Sequence, residues 1–90
     1  MDVTATSYVY GREIDGSHER WVILVAVPVR GGTLLHEEHT RSGPNNSRRM
    51  LLNRIVPLPA GTTVETWLQE RDQELQASGW DPPNRVAGFC

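Results

Sequence analysis

The sequence predicts an α+β domain: an antiparallel sheet of about four strands packed on one face by a single C-terminal helix. Three observations carry this. Two runs rich in β-formers flank Asp15-Gly16, an unbroken apolar stretch extends from Trp21 to Val29, and one capped amphipathic segment follows them. A chain of 90 residues supports one core and buries about 60–65% of its unfolded surface. Residues 1–90 are therefore read as a single domain in β-β-β-β-α order.

The first strand spans 4–14 and the second 20–29, joined through Asp15-Gly16, among the strongest short hairpin signals. Charge limits the register. A two-residue turn sets Arg12 opposite Glu19 and a four-residue turn sets Glu13 opposite Arg20, whereas an odd turn opposes like charges. Both permitted registers place Tyr8, Tyr10 and Ile14 on one face with Trp21, Ile23, Val25 and Val27. Val9 shares the other face with Val22, Leu24 and Ala26.

Arg30-Gly31-Gly32-Thr33 is a second turn, and the third strand spans 33–41. With the glycines at the tip, Leu34, His36 and Glu38 join the face of Trp21, and Leu35, Glu37 and His39 join that of Val22. After the turn-forming Ser42–Ser47 segment, residues 48–58 form the fourth strand, with Met50, Leu52, Val56 and Leu58 on one face. A short helix capped by Ser47 is the alternative there. Pro57 and Pro59 close the element.

Thr62-x-x-Glu65 is a capping box, so the helix spans 62–78 with Thr62 as its N-cap. Val64, Trp67, Leu68 and Leu75 recur at helical spacing, interrupted by Arg71. Gly79 suits a left-handed C′ position, which pairs Leu75 with Trp80 in a Schellman ending. Asp81-Pro82-Pro83 ends the helix and leaves 81–90 as a tail.

A helix of this length is roughly 24 Å long and 10 Å wide. It cannot roof both faces of a sheet about 19 Å across. Yet the second strand is apolar on both faces, the pattern of a strand buried on both sides. The face left over is expected to meet a partner, either a second copy of the chain or another protein, through Val9, Val22, Leu24 and Leu35, with Trp21 as an aromatic anchor. The competing cover is the tail, folding back through Val86 and Phe89.

Other chemistry is thinly represented. Net charge is −2, so there is no bulk positive field for a nucleic acid. All nine basic residues are arginines, and Arg41, Arg48, Arg49 and Arg54 cluster around one loop. They form an alternative, phosphate-contacting surface. His36 and His39 are the alternative metal or enzymatic pair, but strand alternation sends them to opposite faces, and their spacing is not that of a zincin. No catalytic residue or cofactor is expected. Cys90, the lone cysteine, has no intrachain partner, which suits a reducing compartment. With no apolar leader in 1–15 and no apolar run of about 20 residues, a cytoplasmic protein without membrane contact is expected. The functional expectation is a non-catalytic protein–protein interaction module: a homodimer, adaptor, inhibitor or regulator.

Overall fold

Asp15 and Gly16 both take positive φ, 48° and 78°, the signature of a type I′ turn whose twist matches the flanking strands. In the computed structural model, which describes residues 3–28, 33–43 and 47–87, this turn joins β1 (Val3–Ile14) to β2 (Ser17–Pro28). Ile14 pairs with Ser17 and Arg12 with Glu19, the register that opposite charges demand. Tyr10 lies directly across from Trp21, so the expected face assignment of this hairpin holds.

β3 (Leu34–Ser42) and β4 (Arg48–Ile55) extend the sheet beyond β2. Segment 48–55 is a strand, not a short helix. The antiparallel order is β4-β3-β2-β1-β5, where β5 (Asn84–Ala87) pairs with the outer edge of β1. This fifth strand corrects the expectation that 81–90 is a tail outside the sheet: residues 84–87 widen the sheet at its edge and do not lie across its face. Phe89 and Cys90 lie outside the described residues.

Two further face assignments are overturned. Ala26 pairs with Leu34 and Trp21 with His39, so an odd number of residues separates the paired ends. A tip centred on Gly31-Gly32 would need an even number. The turn itself lies outside the described residues. A slip of one residue exchanges every side chain of a strand between faces; Leu35, Glu37 and His39 therefore share the face of Trp21, and Leu34, His36 and Glu38 that of Val22. In β4 a bulge opposite His39/Thr40 leaves Leu51 unpaired, so Leu52 opposes His39 while Met50 opposes Thr40. Met50 and Leu52 thus lie on opposite faces, not the same one.

The helix α1 (Val64–Ala77) begins one residue later than its capping box predicts. Thr62 is still in a turn, its N–H donating to the Pro59 carbonyl at 3.0 Å next to Gly61 at φ +82°. Thr63 is the N-cap, accepting the Thr66 N–H at 3.1 Å. The C-terminus follows expectation. Gly79 has φ +92°, its N–H donates to Gln76 O, and that of Trp80 to Leu75 O, both at 3.1 Å. Those are the two bonds of a Schellman motif. Leu75 and Trp80, which the motif brings together, join Tyr10 and Ile23 in the core, with Tyr8, Trp21, Trp67 and Leu68 packed around them. The helix therefore covers the face of Trp21.

Candidate functional site

The two faces of the sheet are chemically unlike. Beneath the helix lies a layer of buried carboxylates gripped by arginines. Arg41, Glu19 and Arg12 stand side by side across three strands. The Glu19 side chain is wholly buried. It receives Arg12 Nε at 2.6 Å and Arg41 Nε at 2.8 Å and Nη2 at 2.7 Å. Two same-face rows along, beyond that of Trp21 and His39, the equally buried Glu37 accepts from Arg54 Nη2 and Arg71 Nε, each at 2.8 Å, and from Trp21 Nε1 at 3.0 Å. Arg71 is the residue that interrupts the apolar stripe of the helix, and Glu37 is its reason for being there. Burial pushes both carboxyls up. Hydrogen bonds from Arg12 and Arg41 to Glu19, and from Arg71 and Arg54 to Glu37, more than offset it and leave both below the usual carboxylate range. Tyr10 donates its hydroxyl to Asp72 Oδ1 at 2.7 Å, and burial, then this bond, raises its pKa.

An aromatic cluster fills the space between these ion pairs. Trp80 stands edge-on to Trp21 and His39, with ring centroids at 5.8 and 5.3 Å. The Arg12 and Arg71 guanidiniums lie over Trp80 and Trp21 at 4.3 and 4.9 Å. The His39 Nε2 is buried, 3.4 Å from Glu19 Oε2 but in no hydrogen bond. Desolvation holds its pKa below the usual histidine value of 6.5, against the pull of Glu19 and with help from Arg12 and Arg41.

A two-stage loss of stability on acidification follows. As pH falls below 6.5, the unfolded chain takes up a proton that folded His39 refuses, so folding weakens until the folded value is reached. Glu19 and Glu37, depressed below 4.5, contribute stability at higher pH that is lost as pH falls through their folded values. Urea midpoints measured across a pH series should show both stages, and His39→Phe should remove the first. A variant that keeps the first stage would place its origin elsewhere.

The opposite face carries no helix or strand over it among the described residues. Its rows read across the sheet as Ile55, His36, Leu24, Ser7, Val86, and then Asn53, Glu38, Val22, Val9, Asn84. Four of the most exposed large apolar residues, Leu34, Met50, Ile55 and Val86, fall on this face by register, Ile55 being 66% exposed. Ser7 and Thr40 are nevertheless buried on this face, as are Ala5 and Ala26.

Of the residues expected to form an interface, Val9, Val22 and Leu24 share this open face. Leu35 does not: it is 1% exposed on the helix side, a consequence of the β3 register. Trp21 is also on the helix side, bound to Glu37, and cannot anchor a partner on the open face. The arginine group is likewise divided. Arg41 and Arg54 are held by buried glutamates, Arg49 lies opposite Arg41 on the helix side, and Arg48 lies on the open face. His36 and His39 lie on opposite faces, as alternation predicts, with His36 Nε2 2.6 Å from Asn53 Oδ1. Among the described residues no group of three or more His, Cys, Asp or Glu is placed to hold a metal, and no helix is long and apolar enough to cross a membrane. Sequence reasoning missed Leu34 and Ile55 at the edge of the open face, since their orientation depends on the β3 register. No protein-family model, curated protein or solved structure matches this chain.

Proposed function

We propose that the protein is a non-catalytic docking module that binds a partner protein, in the simplest case a second copy of itself, through the sheet face opposite the helix. What supports this reading is the gathering of Leu34, Met50, Ile55 and Val86 around the central strip of Val9, Val22 and Leu24. An apolar centre with polar groups such as His36, Glu38 and Arg20 among and beside it is the usual composition of an interface. A second copy satisfies such a surface with no further component, through an isologous contact.

Light scattering across a concentration series is expected to show a dimer that dissociates on dilution. Val22→Glu/Leu24→Glu should give a folded monomer. Ile55→Glu, at a position with little packing to lose, tests the same face if the double variant fails to fold. A wild-type monomer at every concentration removes the second copy as the partner. A folded variant that keeps the wild-type mass places the contact elsewhere.

A further inference from the structure

The arginines of this chain are divided by the sheet. Arg12, Arg41, Arg54 and Arg71 each grip a buried glutamate beneath the helix. Arg20 and Arg48 lie on the open face and form no ion pair among the described residues. Register brings them together. Arg20 stands across from Thr40, His18 across from Ser42, and Ser42 across from Arg48. These five side chains line a hollow of about 110 Å³ at the hairpin end of the face. Taking about 30 Å³ per water, that is room for three or four waters, or for one tetrahedral oxyanion.

Among the described residues no carboxylate lines this hollow, the nearest by register being Glu13, across from His18 on the same face. Two guanidiniums, an imidazole and two hydroxyls lining one space offer hydrogen-bond donors, and the guanidiniums of Arg20 and Arg48 bring positive charge that forms no ion pair among the described residues. Arginine's planar fork matches phosphate oxygens in bidentate fashion, and threonine and serine hydroxyls add single donors. An adjoining hollow of about 160 Å³ shares Arg20, Thr40 and Arg48 and continues over Val22 and Leu24, past Glu38 to His36 and Ser7. Its floor suits a ring or hydrocarbon chain. The Glu38 carboxylate would repel a second phosphate, which disfavours an extended polyanion running along the face.

We propose that the hairpin end of the open face is a binding site for a phosphate monoester, in which Arg20 and Arg48 clamp the phosphate beside Thr40 and Ser42 and the organic group lies over Val22 and Leu24. The site shares Val22 and Leu24 with the surface proposed for self-association, so an organic phosphate and a second copy would compete there, whereas Ile55 and Val86 lie outside the hollow.

The test is an NMR titration of the full chain, following backbone amides, arginine Nε–H groups and methyls, with inorganic phosphate, phenyl phosphate and acetate. Saturable shifts at Arg20, Thr40 and Arg48 are expected with phosphate. Phenyl phosphate should bind about threefold or more tightly and also shift the Val22 and Leu24 methyls. Arg20→Gln and Arg48→Gln should each weaken binding about tenfold, while Arg49→Gln, on the other face, leaves it unchanged. The proposal is overturned by shifts that never saturate, by acetate binding as well as phosphate, or by Arg49→Gln weakening binding as much as the other two. Ile55→Glu separates the two readings, since it should abolish self-association yet leave the phosphate titration intact.

Discussion

Replacing Glu37 with glutamine is expected to lower folding stability by about 2–4 kcal/mol at neutral pH. Removing one member of a buried ion pair typically costs about 3–5 kcal/mol, because the remaining charge is stranded. Here the stranded groups are Arg71 and Arg54, whose side chains are 22% and 46% exposed and can be partly rehydrated, which lowers the figure. The amide would keep one acceptor for Trp21 Nε1 and lose the charge that holds both guanidiniums. Arg71 is also the helix residue that ties α1 to β3, so the loss should reach the docking of the whole helix. Urea denaturation measures it. A buried pair can often be replaced by apolar residues of similar size at little cost, so Glu37→Leu/Arg71→Met should recover much of the deficit. Glu74→Gln removes the exposed contact at 3.4 Å from Arg71 and should change stability by less than about 0.5 kcal/mol. If Glu37→Gln behaves like Glu74→Gln, the buried cluster does not hold the helix.

How much of this was visible beforehand depends on how local each determinant is. The first hairpin was legible because turn chemistry and charge register are decided within a few residues and agree: Asp15-Gly16 accepts positive φ at both positions, and Arg12 meets Glu19. The Schellman ending at Gly79 was legible for the same reason. The register of β3 was not. It depends on how many residues the second turn consumes, and Gly31-Gly32 permits more than one arrangement. That single residue decided whether Glu37 or Glu38 lay under the helix, and with it the fate of Arg54, Arg71 and Leu35. β5 was missed because Asn84-Arg85-Val86-Ala87 carries no periodic signal. Its strand form comes from pairing with the open edge of β1, to which the Asp81 N–H bond to the Gly11 carbonyl at 3.0 Å brings the chain. Val22 and Leu24 were legible because they alternate with core residues on the most apolar strand.

Truncating Trp80 to alanine should be about as severe, with an expected loss of about 3–5 kcal/mol, the range for a buried aromatic reduced to a methyl. Trp80 is 5% exposed and belongs at once to the core, the helix C-terminus and the ionic layer. Its ring packs against Leu75, which the Schellman bonds bring within reach. Its face supports the Arg12 guanidinium, whose Nη1 donates to the Ser78 carbonyl at 2.8 Å and so places a cation at a helix C-terminus lacking a basic residue of its own. The loss should therefore exceed that of Trp67→Ala, a half-buried position in the first turns of the helix. It should also be coupled to Arg12. In a double-mutant cycle, Arg12→Gln in the Trp80→Ala background should cost less than in the wild type, by about 0.5–1 kcal/mol for a cation–π contact at a partly buried site. Circular dichroism followed through urea unfolding reports both quantities without relying on tryptophan emission. Additive losses would mean that Arg12 holds Glu19 and Ser78 without help from the ring beneath it. The helix C-terminus and the Glu19 cluster would then be two separate anchors, where the geometry places one.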